Sequence, residues 1–143
     1  MSNIALFMKK NKSTKENTFT AATKSLVDEN GEPLLWEIQP ISTKADEKIR
    51  DACMIEVPIK GKPNMFRSKV DTSKYISKLL AAAVVSPDLL NAELQDSYGV
   101  KTPEDLLKEM IDVPSEYTEF TAFVQKFNGF DVSMDEKTEE AKN

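Results

Sequence analysis

Pairs of neighbouring acids such as Asp46-Glu47, Glu104-Asp105 and Asp135-Glu136 have the residue types needed for proton transfer or metal binding in this 143-residue chain. Such chemistry needs two carboxylates that converge on one atom. Adjacent residues on a helix point in different directions, so these pairs read as helix caps and solvated faces. The segment from Asp131 through Ser133 to Asp135 opens like a calcium loop. It then places Glu136 where the sharp turn needs glycine and Lys142 where a bidentate glutamate belongs, and the pattern fails. The chain has no histidine, which removes the usual acid–base, nucleophile-activating and metal-ligating group. Its one cysteine, Cys53, precludes an internal disulfide or a cysteine-cluster zinc site and fits a reducing compartment. Beside Met54 and Ile55 it reads as a buried structural residue. Gly31, Gly61, Gly99 and Gly129 stand alone, so no phosphate-cradling loop exists. No catalytic residue, metal or cofactor is expected, and the chain reads as a non-enzyme.

Two surfaces offer binding chemistry instead. Lys60, Lys62, Arg67 and Lys69 make a local basic patch. Phe66 alone does not interleave it with aromatics as nucleic-acid readers require, and the whole chain carries a net charge of −5. The patch therefore reads as a solvated hairpin edge whose lysines discourage strand addition, with no nucleic-acid partner. The second surface is apolar. Tyr75, Leu79 and Leu80 recur at helical spacing, as do Tyr117, Phe120, Val124 and Phe127, with Phe123 off that line and Phe130 beyond it. The stripe is wider than one contact needs, so Tyr75, Leu79, Leu80, Tyr117, Phe120, Phe123, Phe127 and Phe130 are candidate contacts for a partner or a second copy.

The elements that must position these residues divide the chain in three. Residues 1–16 carry four lysines against Glu16, a net of +3, and read as a flexible basic arm. Residues 131–143 carry five acids against two lysines, a net of −3, and read as an acidic tail. Between them, residues 17–130 form a single domain. Its first half reads as two β-hairpins: residues 18–27 with 33–39 around Asn30-Gly31, then 54–59 with 65–70 around Gly61. Ser42 or Thr43 caps a helix through about Ala52 between them. The second half reads as helices. One runs through Tyr75–Val84, a short one ends at Gly99, one starts at the Thr102-Pro103-Glu104-Asp105 cap, and one follows Val113-Pro114 and ends at Asn128-Gly129. The fold class is α+β, a small antiparallel sheet of two hairpins followed by a helical bundle. The longest apolar run, Leu79–Val85, is far short of the ~20 residues that span a bilayer. The basic residues of the N-terminus follow its apolar ones, the reverse of a secretory signal, so a cytosolic protein is expected.

Several stretches resemble the XkdN-like phage tail assembly chaperones of Gram-positive phages and prophages. They are Trp36-Glu37-Ile38-Gln39-Pro40-Ile41, Ile49-Arg50, Ser86 through Val100, Thr102 through Leu107, Phe127-Asn128-Gly129-Phe130 and the ending Glu140-Ala141-Lys142-Asn143, in that order over residues 17–143. The resemblance implies a non-catalytic protein of viral tail morphogenesis. It would bind the tape measure protein and keep it soluble in the host bacterial cytoplasm while tail tube protein polymerises around it, and it would be absent from the mature virion. Contact with the tail tube protein is also implied; self-association is the reading of the wide apolar stripe, and the short apolar runs lead to no membrane partner. A structural tail or baseplate component is the alternative. The resemblance further implies a second, longer product made by a −1 ribosomal frameshift. Ala141-Lys142-Asn143 can be encoded GCA-AAA-AAC, which contains the slippery run A-AAA-AAC, so the junction would lie at about Lys142–Asn143.

Overall fold

A computed structural model describes residues 3–130. The acidic tail, the calcium-like segment and the frameshift junction lie outside the described residues. The fold is α+β, as expected, with two small antiparallel sheets and five α-helices among the described residues.

The first hairpin forms with shorter strands than its composition predicts. Its regular ladder is β1 (Thr18–Thr20) with β2 (Trp36–Ile38), in the register Thr18 with Ile38 and Thr20 with Trp36, and a single antiparallel bridge, Val27 with Pro33, joins the two segments again beside the turn. The turn between them is built by Asp28, whose Oδ1 accepts from the amides of Asn30 and Glu32, with Gly31 at a φ of +80° that favours glycine. The chain leaves the ladder after Thr20 because Ala22 and Thr23 are drawn inward. The Thr23 hydroxyl and the Lys24 amide both donate to the carboxylate of Glu116, at 2.8 Å each. The Lys24 amide thus finds a side-chain acceptor in place of a ladder partner, as does the Ser25 amide, which donates to Thr23 Oγ1 at 3.2 Å.

Helix α1 (Thr43–Ala52) starts at Ser42, whose Oγ accepts from the Ala45 amide at 3.1 Å. Strands β3 (Met54–Pro58) and β4 (Phe66–Val70) follow as a separate two-stranded hairpin, in the register Met54 with Val70 and Pro58 with Phe66. Helix α2 (Thr72–Ala83), capped by Asp71, then crosses the centre of the molecule.

Residues Val84–Ser86 correct the expected helix end. They form β5, which pairs antiparallel with β2 through Ile38–Val84 and Glu37–Ser86, making β2 the central strand of three. The β-branched pair Val84-Val85 favours extended backbone. Gln39 seals the helix end: its amide donates to the Ala83 carbonyl at 2.8 Å and its side chain to that of Ala82 at 2.9 Å. Helices α3 (Ala92–Ser97), α4 (Pro103–Met110) and α5 (Pro114–Phe127) complete the chain. The Thr102 cap with Pro103 in the first turn is as the spacing predicts.

The main core joins Trp36 and Ile38 of β2 to Leu80 of α2, Leu106 and Leu107 of α4, and Phe120 and Val124 of α5. Trp36 meets Phe120 edge-on, with ring centroids 5.8 Å apart. A smaller core holds Cys53, Tyr75 and Leu79 between α1 and α2, with Val70 and Phe130 against it. Cys53 is wholly buried, as its neighbours indicate. Each large apolar side chain so buried stabilises the fold by roughly 1.5–3 kcal/mol before entropy is subtracted.

Candidate partner-binding surface

The residues of the apolar stripes divide by depth. Tyr75, Leu79, Leu80 and Phe120 are buried, and they hold α2 and α5 to the rest of the domain. Tyr117, Phe123, Phe127 and Phe130 are half-buried, each with one side packed on a core. The two stripes are therefore the inner faces of their helices first, and any partner surface must use what they leave open.

Polar contacts fix the surroundings of these side chains. The Tyr75 hydroxyl donates to the Asp46 carboxylate on α1. The Arg50 guanidinium, 3.5 Å from Asp46, lies 4.9 Å over the Tyr75 ring. Burial above all, together with the bond to Asp46, pushes the Tyr75 phenol up to about 12. The Glu116 carboxylate is held below its ordinary range, chiefly by the Lys24 amide and then by the Thr23 hydroxyl. Lys15, from the basic arm, donates to the Phe127 carbonyl and sits 4.3 Å over the Phe127 ring. That places a cation at the negative end of the α5 dipole.

Two open grooves flank the stripes. One, of about 730 Å³, runs between residues 20–25 and the start of α5. Phe120 and Phe123 line it with Ala21 and Val113, and Glu116 and Glu119 supply negative charge. The other, of about 630 Å³, lies between α1, α2 and the start of α4. Its lining includes Ala45, Ile49, Ala52, Ala81 and Ala82, with Leu90, 74% exposed, among them. Small side chains along a groove let a helix approach closely, and the apolar lining gives it surface to bury. Reading the sequence for large apolar residues misses this groove, because its alanines carry little weight in such patterns. The alanine spacing Ala45/Ala52 on α1 and Ala81-Ala82 on α2 is the signal that was present.

The residues that carry the family resemblance are drawn together by the fold. Ile41, at the end of the Trp36–Ile41 stretch, donates its amide to Asn128 Oδ1 of the Phe127–Phe130 stretch at 2.6 Å. In the Ser86–Val100 stretch, Asn91 caps α3 and Gln95 donates to the Leu89 carbonyl at 2.8 Å. Leu106 and Leu107 of the next stretch are core residues. These motifs specify the fold and its joints.

The model of the phage XkdN-like tail assembly chaperone family matches residues 4–142. The chain belongs to this family. Among curated relatives, the phage-like element PBSX protein XkdN of Bacillus subtilis (strain 168) is 22% identical over 121 residues, covering 85% of this chain and 80% of that protein. A protein of the same organism described as uncharacterized, YqbN, matches with the same identity and coverage. The crystal structure of YqbN superposes with a TM-score of 0.74 at 18% identity, over 92% of this chain and 99% of that one. At that identity the likeness speaks for the fold alone. Among the described residues, no helix of this family member is long and apolar enough to cross a membrane.

Proposed function

We propose that this member of the tail assembly chaperone family binds the tape measure protein and keeps it soluble until tail tube protein encloses it. The observation that carries this is the family match over nearly the whole chain. The groove between α1, α2 and α4 supports it by offering an apolar seat of a size and lining that suit an amphipathic helix. A tape measure chain is long and largely helical, and its apolar stripes need cover before the tube closes. The net charge of −5 keeps a loaded complex soluble and repels other loaded copies. Many weak sites along one partner give avidity while each contact stays displaceable by tube protein.

In this reading the protein acts without catalysis in the host cytoplasm and leaves before the virion matures. Co-expression with the neighbouring very long gene product tests it: the partner's soluble yield should rise and the two should co-purify. Mass spectrometry of purified virions tests the departure. Stoichiometric amounts of this chain in the particle would make it a structural component instead. Intact-mass analysis of the product of the natural gene tests the frameshift, and a single species ending at Asn143 would end that part of the proposal.

A further inference from the structure

The β3–β4 hairpin has an open edge. Among the described residues it pairs with no third strand, and an isolated two-stranded hairpin is marginally stable in water. Met54, Ile55, Met65 and Phe66 are exposed on it. The ladder determines which backbone groups face outward. The Asp71 amide donates to the Cys53 carbonyl at one end, and the Ile59 amide to the Met65 carbonyl at the other, at 2.8 and 3.0 Å. Inward and outward groups alternate along an antiparallel strand. Arg67 and Lys69 therefore turn their backbone groups toward β3, while Phe66, Ser68 and Val70 turn theirs to the open side. None of these three amides has an acceptor among the described residues. The outer edge of β3 is poorer, because Pro58 has no amide proton to give and Glu56 stands at its middle.

Side chains along β4 define what that edge accepts. Successive residues of a strand lie on opposite faces, so Phe66, Ser68 and Val70 share one face and Arg67 and Lys69 the other. With Lys60 and Lys62 at the tip and only Glu56 against them, residues 54–70 carry a net of +3. The rest of residues 17–130 carries −8. Cations on an edge turn away basic strands and leave neutral ones without a charge partner. An acidic strand pairs with them, and opposite charges or apolar groups directly across a ladder stabilise it. The position opposite Ser68 must be neutral, because the Ser68 hydroxyl donates to the Glu56 carboxylate at 2.9 Å and an acid there would meet Glu56. We infer that the outer edge of β4 receives an extended segment of a partner protein as a third strand, with apolar residues opposite Phe66 and Val70 and acids opposite Arg67 and Lys69. The partner segment thus reads apolar, acid, neutral, acid, apolar. The acidic remainder of the domain repels such a segment and steers it to this edge. Docking here is independent of tape measure binding.

The blocked peptide Thr-Val-Glu-Thr-Glu-Val-Thr, titrated into isotope-labelled full chain, tests this. Amide protons of Phe66, Ser68 and Val70 should shift downfield, while those of Arg67 and Lys69 move little. Thr-Glu-Val-Thr-Val-Glu-Thr, with the same composition out of phase, should bind about tenfold more weakly, as should the first peptide to the Arg67→Glu, Lys69→Glu variant. That variant should instead take Thr-Val-Lys-Thr-Lys-Val-Thr. Ser68→Pro removes an outward amide, leaves the inward ladder bonds in place, and should lose binding. No shift at millimolar peptide, equal binding of the two acidic peptides, undiminished binding by Ser68→Pro, or shifts without the alternation overturns the inference. So does broadening of hairpin signals that grows with protein concentration in the absence of peptide, which would give the edge to a second copy.

Discussion

Asn128 joins the end of α5 to the linker between β2 and α1, and removing its side chain should cost the fold measurably. Its Oδ1 accepts from the Ile41 amide at 2.6 Å and its Nδ2 donates to the Val124 carbonyl at 2.9 Å. The next residue, Gly129, turns the chain at a φ of +82°, and the Phe130 amide closes the motif on the Gln125 carbonyl. Asn128→Ala deletes both side-chain bonds, each contributing about 1 kcal/mol net, and leaves the half-buried Ile41 amide without its acceptor, for a total of roughly 2–3 kcal/mol. Asn128→Asp keeps an acceptor for Ile41. It loses the donor to Val124 and puts a negative charge at the negative end of α5, so its loss should be about 1–2 kcal/mol. Urea unfolding followed by the fluorescence of Trp36, the only tryptophan and only 2% exposed, reads both. The midpoint should fall at constant slope, and the melting temperature of the alanine variant should drop by about 10 °C. An Asn128→Ala loss within about 0.5 kcal/mol of zero would refute the assignment of this joint.

Alkali should weaken the α1–α2 contact. The Tyr75 phenol titrates near 12 when folded and near its ordinary 10 when unfolded, so its contribution is intact below pH ~10 and is lost as pH rises through ~12. Tyr117 is shifted the same way by burial, so the difference in unfolding free energy between wild type and Tyr75→Phe isolates the Tyr75 share; identical pH profiles would remove it. Glu116 behaves oppositely. Its lowered folded value means that its contribution is present above the ordinary carboxylate range and fades as pH falls through the folded value, so Glu116→Gln should flatten the acid limb of the stability curve. On the groove between α1 and α2, Leu90→Asp should change stability by less than about 0.5 kcal/mol because Leu90 is exposed. It should still reduce partner co-purification, and unchanged capture would move the seat elsewhere.

Elements set by local chemistry were legible in the residues. The Ser42 and Thr102 caps, the second hairpin and the Asn128-Gly129 stop depend on near neighbours, and the fold places them as their spacing predicts. Elements set by distant partners were not. The early end of β1 depends on Glu116, 93 residues from Thr23. Strand β5 depends on β2 and Gln39, while its Val84 continues the helical period of α2 and reads as one more turn. The groove proposed as the partner's seat was hardest to see for a related reason. In a domain this small the large apolar residues of α2 and α5 are needed for the core, so the open groove is lined by alanines.

Whether this domain acts on the tail's length-setting chain is decided by expressing that partner alone, with the wild-type chain, and with Leu90→Asp, then weighing soluble partner and complex after size-exclusion chromatography. A chaperone of this kind should raise the soluble partner several-fold and elute with it, with the gain reduced for Leu90→Asp. Equal soluble yield in all three, with no co-elution, would contradict tape measure binding while leaving the fold and the family intact.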